Sequence, residues 1–339
     1  MNSKTVYRAI ALNGKGGLDQ LQEVTMPLEP PQKGQIRIRV RASGVGFTDI
    51  TMRTGRYLFR PKFPFVPGYE VVGIVDAIGE GVSGFTLGQR VCALTVFGAW
   101  AEYFTRDADD FVPVPDGLDD GDVVALILNY VTAYQMIHRT ASLRAGQTAL
   151  VTGANGGVGT ALMELLRAHN VHALGLASRA HFDLIKSLGG LPVESRARPI
   201  DAAIHEVLPA GVNVAFDGLG GLRTRECVRA TRRGGLIIGY GSMALRHAAD
   251  RWRGLASLFL GARLAGRRGT FYGISVLYRK DKRPFKEDLP KLFELLAAGT
   301  IRPRIAARLS LLDGREGQRL LEAGGVAGKI VLLAGPPLR

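Results

Sequence analysis

Apolar and polar positions divide this chain into two stretches of different character. In Gln35-Ile36-Arg37-Ile38-Arg39-Val40-Arg41 the branched residues alternate with arginine, the period-two pattern of a strand with one buried face. The stretches YEVVGIVDAIGEGV (69–82) and QRVCALTV (89–96) are apolar runs broken by glycine, so residues 1–125 are expected to be mostly β. From about 126 the pattern changes. Strand candidates at 148–153, 171–178, 212–218, 235–241 and 269–275 are separated by helical stretches such as 160–170 and 181–189. Strands alternating with helices predict an α/β protein with a doubly wound parallel sheet. The tail, a helix from Asp288 and then strand material through Gly328-Lys329-Ile330-Val331, is expected to rejoin the first half. The expected domains are thus 1–125 completed by 265–339, and 126–264.

Composition adds limits. Of 339 residues, 46% are apolar and 22% charged, an ordinary globular balance. No apolar run is long enough for a membrane span, and MNSKTVYRAI lacks the apolar core of a signal peptide. Cys92 and Cys227 are the only cysteines, which argues against a disulfide framework and a structural zinc knot and favours a cytoplasmic location. The net charge of +14 favours anionic partners, among them a phosphorylated cofactor. No run interleaves basic with aromatic residues, so nucleic acid is not expected as a partner. The densest basic region, 244–268, places six arginines around Leu255, Leu258, Phe259, Leu260 and Leu264. It reads either as a packed helix with a solvated basic face or as a membrane or partner surface.

The stretch 148–170, TALVTGANGGVGTALMELLRAHN, carries the most chemistry. A buried strand is followed by Ala154-Asn155-Gly156-Gly157-Val158-Gly159 and then a helix. This is the dinucleotide fingerprint G-x-G-x-x-G with alanine in the first place. Its glycines permit a tight turn, close approach of backbone to a pyrophosphate, and close helix–strand packing, while the helix N-terminus offers N–H groups to phosphate. The next strand ends in Ala177-Ser178-Arg179-Ala180-His181 with no acid to accept from a ribose 2′-hydroxyl. Ser178 and Arg179 suit a 2′-phosphate instead, so the expected cofactor is NADPH. Gly218, Tyr240 and Gly241, at the ends of two later strand candidates, complete the expected cofactor-binding set.

The chain resembles the zinc-independent medium-chain dehydrogenases/reductases of the quinone oxidoreductase group, close to the synaptic-vesicle amine-transport-like branch. The resemblance spans nearly the whole length. It rests on Gly44-Val45-Gly46-Phe47-Thr48-Asp49, Arg53-Thr54-Gly55-Arg56-Tyr57, Pro67-Gly68-Tyr69-Glu70-Val71-Val72-Gly73, and Val75-Asp76-Ala77-Ile78-Gly79 with Gly88-Gln89-Arg90-Val91. It continues through Asn129-Tyr130-Val131-Thr132-Ala133-Tyr134, the glycine loop and Gly328-Lys329-Ile330-Val331-Leu332. The resemblance implies a GroES-like β domain and a Rossmann domain with the active site in the cleft between them, and dimers are common in the family. Zinc alcohol dehydrogenases carry histidine where this chain has Tyr69 and a cysteine near Gly46, so no three-ligand catalytic zinc can be assembled and no metal is expected. Quinone reductases often carry asparagine at Gly46. Their usual lysine and tyrosine around the 2′-phosphate fall at His181 and Ser195, which leaves that role to Arg179, with Arg196 or Arg198 as further candidates.

Without a metal, a simple ketone lacks the electrophile its oxygen needs, whereas a quinone or α,β-unsaturated carbonyl spreads the incoming charge itself. Tyr57, with Phe59, Phe63 and Phe65, either lines the substrate pocket or belongs to the β core; Thr132 is expected to contact the nicotinamide or its phosphates. Tyr57 and Thr132 are the candidate catalytic residues. Two functions follow: an NADPH-dependent quinone or enone reductase, or an NADPH-binding scaffold or membrane-associated factor with little turnover.

Overall fold

A computed structural model describes residues 5–57, 59–194, 198–241 and 248–335. Ser195, Arg196 and residues 244–247 of the basic stretch lie outside the described residues. The chain forms two compact units, Met1–Leu128 with Asp281–Arg339, and Asn129–Lys280.

The first unit is β-rich, as the alternation predicts. β1 (Val6–Leu12) and β2 (Leu21–Pro27) form an antiparallel pair. β3 (Gln35–Val45) is the central strand of the main sheet, flanked by β4 (Glu70–Ile78), with β5 (Arg90–Leu94), β6 (Tyr103–Asp107) and β7 (Val112–Pro113) following. Ile36, Ile38 and Val40 are buried, while Arg37 turns to the other face and pairs with Asp76 at 2.9 Å. From Ala42 to Val45 every residue of β3 is buried, so the alternation stops there.

The second unit holds six parallel strands: β8 (Thr148–Thr152), β9 (His172–Ala177), β10 (Leu191–Glu194), β11 (Val212–Asp217), β12 (Thr231–Gly239) and β13 (Arg268–Phe271). Their order is β10-β9-β8-β11-β12-β13, the doubly wound arrangement of a Rossmann sheet. The strands are apolar runs because helices cover both faces; Leu150, Leu174, Ala215, Ile237 and the free Cys227 share one buried core. β14 (Ile305–Ser310) and β15 (Lys329–Leu333) then return to the first unit, β15 lying antiparallel to β3.

Two features depart from expectation, and a third bears on the two readings of the basic stretch. Residues 265–280, assigned to the first domain from sequence, lie in the second unit because β13 pairs with β12 from Leu236↔Arg268 to Gly239↔Phe271. The candidate strand 269–275 ends at Phe271, and a helix begins at Ile274. In the basic stretch, the helix Ala248–Ala256 continues through a π-helical turn, Ser257–Gly261. It buries Leu258 but leaves Trp252, Phe259, Leu260 and Leu264 exposed, so its apolar side is not wholly packed.

Candidate active site

Gly153 leaves β8 with φ +63°, and Ala154 turns inward, its N–H donating to Leu176 O of β9 at 3.1 Å. Gly156 caps the helix Gly157–Ala168, and its carbonyl accepts from Thr160 N at 2.8 Å. The three glycines do different work. A Cβ on Gly159 would overlap Gly153 O and stand 2.8 Å from Ala154 Cα, so Gly159 lets the helix rest on the loop. A Cβ on Gly157 would stand 2.5 Å from Asn129 Nδ2. A Cβ on Gly156 meets only Gly153 O, at 3.3 Å, and otherwise projects into open space. That open cradle, with Asn155, Gly157 and Val158 half-buried around a helix N-terminus, fits a pyrophosphate.

The loop stands at the switch point, where β8 and β11 run side by side and their connections leave in opposite directions. Thr152 at the end of β8 accepts from Gly218 N at 2.9 Å. Asp217, buried at the end of β11, accepts from Leu219 N (3.1 Å), Gly220 N (3.0 Å) and Thr224 Oγ1 (2.6 Å). Asp217 and Thr152 thus fix the turn bearing Gly218, an organising role that sequence reasoning missed; the strand-ending Asp217-Gly218 pair was the available signal. A Cβ on Gly218 would stand 2.6 Å from Tyr240 Oη, and one on Gly241 would overlap Gly218 O. Gly218, Tyr240 and Gly241 therefore converge. Burial, aided by Asp217, pushes the Tyr240 phenol up, which keeps it a neutral donor.

Thr132 lies in the helical turn Val131–Gln135, between two π-helical turns, and is 5% exposed. Its Oγ1 is buried without a hydrogen-bond partner among the described residues, a costly arrangement unless a ligand satisfies it.

At the other end, Ser178 precedes the short turn Arg179–His181, and its carbonyl accepts from His181 N at 2.9 Å. Arg179 is 77% exposed, and its Nε donates to Glu194 Oε2 at 2.6 Å. An acid does reach this corner, from the end of β10 rather than β9, and it went unseen because the pair is long-range. Arg198 is paired with Glu206.

In the first unit Tyr57 is half-buried, and its hydroxyl lies 2.8 Å from that of Tyr69. Its ring stands edge-on to Phe59, which is 45% exposed. Phe65, by contrast, is core, stacked on Phe63. Asp49 is buried and ties the turn at Gly46 to Gly68, the residue before Tyr69, accepting from Gly46 N at 2.9 Å and Gly68 N at 3.3 Å. Burial pushes its carboxyl up to about 7. Glu70 beside it is held in a buried ion pair with Lys329. Among the described residues no group of three or more His, Cys, Asp or Glu side chains is placed to hold a metal ion.

A six-stranded sheet of this order with a glycine loop at its switch point is the architecture of Rossmann dinucleotide-binding domains. Residues 32–116 match the family model described as alcohol dehydrogenase GroES-like domain, and residues 192–332 match zinc-binding dehydrogenase. The synaptic vesicle membrane protein VAT-1 homolog of Rattus norvegicus is 30% identical, covering 97% of this chain and 84% of its own length. Quinone oxidoreductase of Rattus norvegicus is also 30% identical, over 97% of this chain and 98% of its own. The crystal structure of Escherichia coli quinone oxidoreductase complexed with NADPH superposes with a TM-score of 0.88 at 23% identity, covering 96% and 99% of the two chains. The chain belongs to the medium-chain dehydrogenase/reductase superfamily of oxidoreductases, in its quinone oxidoreductase group.

Proposed function

We propose that this protein is an NADPH-dependent, metal-free reductase of quinones or α,β-unsaturated carbonyls. One observation carries the reading of the reaction: the positions that hold zinc ligands in the alcohol dehydrogenases are Gly46 and Tyr69, and the Tyr69 hydroxyl is bonded to Tyr57. The cofactor half rests on the open cradle at Gly156 and on the Thr132 hydroxyl, which has no partner among the described residues. The solved Escherichia coli relative, named as a complex with NADPH, supports the same choice.

The backbone N–H groups of Gly156, Gly157 and Val158 hold the pyrophosphate. Ser178 and Arg179 receive the 2′-phosphate, and Gly218, Tyr240 and Gly241 bound the nicotinamide side. Thr132 gives its hydroxyl to the nicotinamide or its phosphates. NADPH, when bound, supplies the hydride that an electron-poor carbon accepts. Tyr57 orients the acceptor's carbonyl oxygen and donates the proton that completes the reduction. Tyr57→Phe is expected to lower turnover while NADPH binding, followed by nicotinamide fluorescence, is kept. Elemental analysis is expected to find zinc well below stoichiometric, with activity indifferent to chelators. Stoichiometric zinc, lost together with activity, would contradict the metal-free reading.

A second reading draws on the exposed Trp252, Phe259, Leu260 and Leu264 beside arginines 251, 253, 263, 267 and 268. Such a surface suits a membrane-associated factor. We place it second because the same apolar residues, with edge strand β13, equally suit a homodimer in the cytoplasm. No helix of the described residues is long and apolar enough to cross a membrane. Co-sedimentation with anionic vesicles, beside sedimentation equilibrium, separates the two.

A further inference from the structure

We propose that Tyr69 is a positioning residue for the reduction, holding Tyr57 through its hydroxyl; this rests on the reductase reading given above. Tyr69 is 3% exposed, whereas Tyr57 keeps part of its surface open. The two hydroxyls are 2.8 Å apart and the rings meet edge to face, with centroids 6.4 Å apart at 83°. Only one of the pair can reach a substrate, and the other stands behind it.

The backbone around Tyr69 is unusually fixed. Thr95 N and Val96 N both donate to Tyr69 O, at 2.9 and 3.1 Å, and Thr95 Oγ1 donates to Gly68 O at 2.8 Å. Val96 has φ +67°, a conformation that a β-branched residue adopts only when its surroundings impose it. Gly68 has φ +104°, and a Cβ there would stand 2.8 Å from Trp100 N and 2.9 Å from Ala99 C. Asp49 anchors Gly68 N from below. Tyr69 is therefore held on a rigid element, which a group acting through its geometry requires.

The chemistry follows from the pair. During reduction the acceptor takes a hydride, with its two electrons, from NADPH, leaving NADP+. The Tyr57 O–H bond breaks and its proton passes to the acceptor. Tyr57 is left as a phenolate, and Tyr69, still protonated, donates its hydrogen bond to that oxygen. Water then restores the proton to Tyr57. Tyr69 touches neither substrate nor cofactor in this scheme. It places the Tyr57 hydroxyl and receives the charge left on it.

The test compares Tyr57→Phe, Tyr69→Phe and the double variant, each of which keeps the ring and so the packing. Steady-state kinetics with 1,2-naphthoquinone, NADPH binding, and NMR of protein labelled with 13Cζ-tyrosine are read on all. Tyr69→Phe is expected to lower kcat roughly 3- to 10-fold, the range one hydrogen bond supports, with NADPH affinity unchanged. In the Tyr57→Phe background the same substitution is expected to have no effect, and in the single variant the Tyr57 Cζ resonance, identified by its loss in Tyr57→Phe, is expected to move. Equal loss in both backgrounds, or an unmoved Tyr57 resonance, would overturn the role. If the unmodified protein reduces no quinone or enone, the reductase reading falls and this role falls with it, even where the resonance shows the two hydroxyls paired.

Discussion

Gly156 and Gly159 lie in one turn, yet their substitution is expected to affect different properties. A side chain at Gly159 meets backbone on two sides, so Gly159→Ala is expected to cost about 1–3 kcal/mol of stability as an overpacked contact, read as a lowered denaturation midpoint. Gly156→Val fills the open cradle, and is expected to leave that midpoint nearly unchanged while abolishing NADPH binding. The reverse pattern would mean that the cradle faces no cofactor. At the ribose end, charge-assisted bonds from Arg179 are worth about 1.5–3 kcal/mol at best. Because Arg179 is exposed and already engaged by Glu194, the expected preference for NADPH over NADH is nearer tenfold than a hundredfold. Arg179→Asp is expected to erase or reverse it. Glu194→Gln, which removes the competing carboxylate, is expected to raise it several-fold. Equal dissociation constants for the two cofactors in the unmodified protein would refute the assignment. The glycine spacing was legible in the sequence because it is local. Glu194, Asp217 and Tyr69 were not read as site organisers, because what they organise becomes visible only when separate strands and turns are brought together.

Elements were legible where burial imposes a period. β3 shows its buried face through Ile36, Ile38 and Val40, and β8 its double burial through Ala149, Leu150 and Val151. β10 is four residues long and shows no alternation, and β13 is recognised as part of the second sheet only through its pairing with β12. The helix Phe47–Arg53 illustrates what the period conceals. Its start is tied by Asp49, a buried carboxyl raised by desolvation, with Glu70 adding to the rise and Gly46 N–H, Lys329 and Gly68 N–H opposing it. Folding raises this group from 3.8 to about 7, so the folded state binds the proton more tightly. The stability it contributes is full below about pH 3.8 and lost as the pH rises through about 7. Glu70 is shifted in the same direction by burial, with Lys329 opposing. Asp49→Asn stays neutral, so its denaturant midpoint is expected to fall less between about pH 5 and 8 than that of the unmodified protein. An equal or steeper fall in the variant would show that Asp49 stays ionised in the fold across that range.

At the scale of the whole molecule, one unit builds the glycine loop at a Rossmann switch point, and the other carries Tyr57 on a β-rich frame. The net charge of +14 suits a phosphorylated cofactor but selects no substrate. In the proposed reaction, selection follows from the use of a phenol where other members of the superfamily use a metal. A phenol donates one proton and one hydrogen bond, far less than a Lewis acid supplies to an isolated carbonyl. Conjugated acceptors need no more than that, since the added charge spreads along the enolate or the hydroquinone ring. The most direct measurement is therefore NADPH consumption by the purified protein with 1,2-naphthoquinone and a simple enone, set beside saturated ketones of matched size. Turnover of the quinone or the enone, with the saturated ketones reduced at least tenfold more slowly, roughly the contribution of one well-placed donor, is the expected result. Faster turnover of the saturated ketones, or tight NADPH binding with no turnover of any acceptor, would contradict it.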